Sequence, residues 1–203
     1  SLGPAIAVLA GTTLTAAVQA PLVDEEQPLQ GVLGLALRKE RAPNGSGARL
    51  LGYSTDWNAA VIAAAAAQLV VLLDVTLTEA EASLIGGAGA VVVLGTIEPQ
   101  VLPAAELVLP VTTVVEESGT FINRDHRVQR YHQARSGPGM ARPAWWVMSA
   151  TRAAQPGSPQ PATPAEAFAA IAATIPALAG LTYADLGATG RVVQPASAAP
   201  AGA

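Results

Sequence analysis

Six arginines, Arg124, Arg127, Arg130, Arg135, Arg142 and Arg152, share the stretch 124–152 with a single acid, Asp125. That local excess of positive charge stands in a chain whose formal net charge is −4. A guanidinium presents a planar fork of N–H donors that fits carboxylates and phosphates. Two arrangements follow. Arg124, Arg127, Arg130, Arg135 and Arg142 dock an acidic partner surface or a phosphate-bearing cofactor, or the arginines pair internally with Glu106, Glu116 and Glu117.

The other residues able to do chemistry give less. Asp74 ends the apolar run Leu69–Asp74, where α/β proteins place ligand-binding residues. The alternative is that it caps the following turn through Thr76 and Thr78, since no acid, base or nucleophile partner stands nearby. Glu116 and Glu117 are adjacent, so on a strand they point to opposite faces and cannot work as an acid/base couple. They read as a solvated hairpin end. His126 and His132 are too few for a histidine metal cage, and the chain has no cysteine. Thiolate catalysis, disulfides and cysteine-held zinc or iron–sulfur clusters are therefore absent from this polypeptide. Gly11 and the Gly86-Gly87-Ala88-Gly89 run read as turns and caps, with no G-x-G-x-x-G fingerprint. No residue is assigned as catalytic, cofactor-binding or metal-ligating.

The elements that position these groups follow from the apolar pattern. Of the 203 residues 51% are hydrophobic, 13% charged and only 4% aromatic, so Ala, Val, Leu and Ile must fill the core. No run reaches the ~18–20 apolar residues of a membrane-spanning helix. The runs 5–10, 49–53, 69–74, 90–94 and 107–109 are apolar throughout, as strands buried on both faces are. Between them lie helical patterns over 29–41, 58–68 and 76–86. Strand and helix alternate with short links, which predicts an α/β fold: a mostly parallel βαβ sheet with helices on both faces. From Val111 the pattern reads as strand, a turn at Glu116–Gly119, a second strand over 120–123 and a basic end. After residue 130 come loops, short helices near 144–152 and 163–173, and a Pro-rich linker at 155–164. Residues 1–130 are expected to form the α/β core, 131–190 an irregular arm wrapping it with Trp145 or Trp146 as anchor, and 191–203 a disordered Ala/Pro tail.

One stretch carries a resemblance. Ala105–Arg130, AELVLPVTTVVEESGTFINRDHRVQR, resembles the segment "ADVVLP…E..GTF.N.EGRVQ" of the molybdopterin oxidoreductase superfamily, with His126 where the family usually has glycine. That superfamily includes formate dehydrogenases, nitrate reductases and the large iron–sulfur subunit of bacterial NADH–quinone oxidoreductase, respiratory complex I. Ala141–Trp146, ARPAWW, and Ile175–Gly190, IPALAGLTYADLGATG, are most similar to the last of these. In catalytic members, the resemblance implies, the pterin cofactor lies in part against residues 118–130, and a β-barrel follows. The 73 residues after Arg130 are Ala/Pro-rich and carry almost no alternating β pattern.

The expected role is accordingly structural. The chain looks like the C-terminal part of the complex I subunit, cut from a longer polypeptide. Iron–sulfur clusters would lie upstream, with no cofactor in this part and molybdopterin not expected. Partners would be the upstream domains of the same subunit and other peripheral-arm subunits, on the cytoplasmic face of the membrane, without nucleic acid and without membrane insertion. Two alternatives stay open: a fragment of a catalytic, formate dehydrogenase-like molybdopterin oxidoreductase, or a freestanding α/β module that binds an anion or a partner.

Overall fold

A computed structural model describes residues 4–19, 27–28, 36–37, 44–101, 105–153 and 160–194. The chain begins with a hairpin, Ala5–Ala10 (β1) and Thr13–Val18 (β2), joined by Gly11-Thr12. Gly11 supplies the left-handed φ of +61° that a two-residue hairpin turn requires. The apolar pattern does not announce β2, and its presence changes the sheet. β1 runs antiparallel to β2 and also to Leu69–Leu73 (β5), where the apolar runs predict a parallel partner. Gln27–Pro28 (β3) and Ala36–Leu37 (β4) form a small antiparallel ladder. The helix expected over 29–41 falls largely outside the described residues. Where it is described, at Ala36–Leu37, the backbone is strand, and Pro28, Gly31 and Gly34 are poor helix residues.

The strand expected at 49–53 is instead the tail of a short helix, Gly45–Leu50 (α1). Its glycines let the chain fold tightly on itself: a Cβ at Gly47 would collide with the side chain of the buried Asn44. Gly52, at φ +82°, then ends the turn. Asp56 caps Trp57–Ala64 (α2) by accepting from the Ala59 N–H at 2.9 Å. Thr78 and Glu81 form a reciprocal capping box on Glu79–Ile85 (α3). Trp57 Nε1 donates to Glu81 Oε1 at 2.6 Å and ties α2 to α3.

β5, Val91–Gly95 (β6) and Leu107–Pro110 (β7) are parallel, in the sheet order β2-β1-β5-β6-β7. Successive strand residues face opposite ways. Ile6, Val8, Ala17, Val70, Leu72, Val91 and Val93 thus meet Val61, Ala64, Ala82 and Ile85 of α2 and α3. Ala5 and Val18 point the other way and pack on Ala48 of α1. The fold is α/β, with helices on both faces and a sheet whose parallel part is β5-β6-β7. Each fully buried Val, Leu or Ile contributes roughly 1.5–3 kcal/mol by area.

The chain divides into two compact units, Leu2–Pro110 and Val111–Ala203, and the division falls upstream of residue 130. In the second unit, Gly119–Ile122 (β8) and Arg127–Tyr131 (β9) form a hairpin, and Arg191–Val192 (β10) adds to β9. Residues 191–193, grouped by sequence with a disordered tail, are therefore not part of it: β10 is paired and Val193 is buried. Residues 195–203 lie outside the described set, as do 154–159 of the Pro-rich linker. The hairpin turn sits at 123–126, later than expected. Upstream of it, Val114–Glu116 is a 3₁₀ turn rather than a strand. Ala144–Ala153 (α4) and Pro164–Ala172 (α5) are the expected helices, the second capped by Thr163 with proline in its first turn. Phe168, Leu178, Leu186, Val128 and Val193 are buried in this unit. Among the described residues no helix is long and apolar enough to cross a membrane.

Candidate functional site

The β8–β9 hairpin carries the front of the arginine band. Its turn is built by Asn123, whose Oδ1 accepts the N–H groups of Asp125 at 3.0 Å and Arg127 at 2.9 Å. That geometry places His126 at φ +57°, in the left-handed region that favours glycine. The His126 carbonyl accepts the Val193 N–H at 2.9 Å, so this histidine acts through its backbone. His132 is exposed.

Each of the five candidate arginines has a partner within this unit. Arg124 faces Asp125 at 3.6 Å, both largely exposed. Arg127 Nη1 donates to the Thr189 carbonyl at 3.3 Å. Arg130 closes its Nε and Nη2 on the Gly187 carbonyl at 3.2 and 3.0 Å, with its guanidinium 5.2 Å from the Tyr183 ring centroid. Arg135 Nε donates to Glu116 Oε1 at 3.0 Å. Arg142 Nη1 donates to the neighbouring Ala141 carbonyl at 2.9 Å. The Arg152 side chain lies outside the described residues.

Glu116 and Glu117 are buried, not a solvated hairpin end. The 3₁₀ turn folds them inward, and each finds its own donors. Glu116 Oε2 accepts the Thr113 N–H at 3.0 Å, and Arg135 holds Oε1. The Thr113 N–H first and Arg135 second hold the Glu116 carboxyl below the usual carboxylate range. Glu117 accepts from Tyr131 Oη at 2.8 Å and Thr112 Oγ1 at 3.2 Å. Burial, then the facing Glu117, pushes the Tyr131 hydroxyl well above the ordinary phenol range. Tyr131 also stacks on Phe121, with ring centroids 4.7 Å apart. A side chain at Gly119 would strike the Tyr131 hydroxyl at 2.6 Å. The pairing of Arg135 with Glu116 is the internal arrangement that the sequence offered for the arginines; reading the sequence missed the burial of both acids and the Tyr131–Glu117 bond. The available signals were the Thr113-x-x-Glu116 capping spacing and an unmatched arginine downstream.

Asp74 does not cap Thr76 or Thr78. It takes φ +48° at the carboxyl end of β5, and its Oδ1 accepts the Thr96 N–H at 2.6 Å. It thus staples the exits of two neighbouring parallel strands. The Thr76 backbone is instead held by Gln19, which both donates to its carbonyl and accepts its N–H.

Comparison with known proteins bears on this same region. Residues 90–151 match the family model described as Molybdopterin oxidoreductase. The Bacillus subtilis (strain 168) protein named "Putative formate dehydrogenase YrhE" is 34% identical over 79 residues, which are 39% of this chain and 8% of that protein. The alpha subunits of F420-dependent formate dehydrogenases 1 and 2 of Methanococcus maripaludis are 36% identical over 88 residues and 35% identical over 89 residues. Each alignment takes in 42% of this chain and 13% of the relative. The matches therefore span a small part of much longer proteins. From β6 through most of α4 the chain is similar to molybdopterin oxidoreductases, the superfamily that its sequence resembles.

Proposed function

We propose that this chain belongs to the large subunit of a formate dehydrogenase-like oxidoreductase of the molybdopterin superfamily, and that its own part in that subunit is to scaffold. The observation that carries this reading is the 34–36% identity to three formate dehydrogenase chains. The resemblance puts part of the pterin cofactor against residues 118–130. The donors there do not fit a bound pterin dinucleotide as they stand. Arg127 and Arg130, the arginines of β9, are closed on the carbonyls of Thr189 and Gly187. No step of a reaction is therefore routed through the cofactor, and the work of these residues is to hold the second unit together.

A second reading has its own observation. The segment Ala141–Trp146, with Ile175–Gly190, resembles the large iron–sulfur subunit of complex I, and that resemblance implies a scaffold role in the peripheral arm. The two readings separate on the full-length subunit purified from its source. Molybdenum or tungsten with a fluorescent pterin oxidation product, and formate-dependent dye reduction, supports the first. Iron without molybdenum or tungsten, co-purifying with NADH-oxidising activity, supports the second.

A further inference from the structure

We draw no further inference here: the strongest candidate, the aliphatic face of the five-stranded sheet turned away from α2 and α3, where Leu14, Val71, Val92 and Leu107 lie, carries nothing, because α1 packs on it at Ala5 and Val18 and nothing in the structure shows what covers the rest.

Discussion

Glu116 is held ionised from two sides, by a backbone N–H of its own 3₁₀ turn and by Arg135 from beyond the hairpin. Its folded pKa therefore lies below the unfolded value of ~4.3. A depressed carboxylate contributes stability that is fully present above the unfolded pKa and is lost as pH falls through the folded one. The drop in Tm between pH 7 and pH 3 should accordingly be smaller in Glu116→Gln than in the unaltered protein. Equal drops, measured by circular dichroism, would mean that the pair adds nothing. His126 makes the opposite case, a residue that costs the fold something. It occupies a left-handed position where the resembling family carries glycine, and a non-glycine residue there costs ~1–2 kcal/mol. Part of that returns as extra freedom of glycine in the unfolded chain. His126→Gly should raise stability by about 1 kcal/mol, visible as a higher urea midpoint with an unchanged slope. The arginines of this region are legible in the sequence as a charge excess. Glu116, the partner of Arg135, is legible as well; the partners of Arg127 and Arg130 are not, because the carbonyls of Thr189 and Gly187 are main-chain groups that leave no mark in the sequence.

The elements that sequence reveals best are those whose apolar runs and caps agree. β5 and β6 are continuous aliphatic runs, and Thr78 with Glu81 announces the start of α3. Where two signals conflict, the pattern misleads. Ala48–Tyr53 is apolar enough for a strand, yet the glycines before it give a tight turn that runs into helix. Thr13–Val18 is half exposed, so β2 lacks the unbroken apolar run that marks its neighbours. The direction of β1 depends on that hidden strand, since a tight hairpin forces antiparallel pairing. In the second unit the strand pairing depends on one residue more than any other. Gly190 has φ +75°, and a Cβ there would collide with the Val128 carbonyl of β9. Gly190→Ala should combine left-handed strain with overpacking and cost roughly 3 kcal/mol. Denaturant unfolding followed by the tryptophans of α4 measures it. A loss below about 1 kcal/mol would mean that β10 sits on β9 less tightly than the geometry states.

At the scale of the whole chain, the part that resembles known oxidoreductases is not a part that can stand alone. The match over 90–151 starts in one compact unit and ends in the other, crossing the division after Pro110. It takes β6 and β7 but leaves out β5, which pairs with β6 in the parallel sheet. It takes β8 and β9 but leaves out β10 and the Thr189 and Gly187 carbonyls that Arg127 and Arg130 hold. Large side chains that close each core lie outside it as well: Ile6, Val70, Leu72 and Ile85 in the first unit, Phe168, Leu178 and Leu186 in the second. Ordering the backbone of the matched stretch would cost ~1–2 kcal/mol per residue. The buried residues that remain inside it, chiefly Val91, Val93, Leu94, Val111, Ile122 and Val128, would lose the surfaces they pack on. A peptide of residues 90–151 should therefore give a far-UV circular dichroism spectrum without a cooperative melt, and its amides should exchange at the rates of an open chain. The 203-residue chain in the same buffer should melt cooperatively. A cooperative transition in the excised peptide would show that the matched segment carries its own core, and that the strands and helices around it are additions to a smaller folding unit.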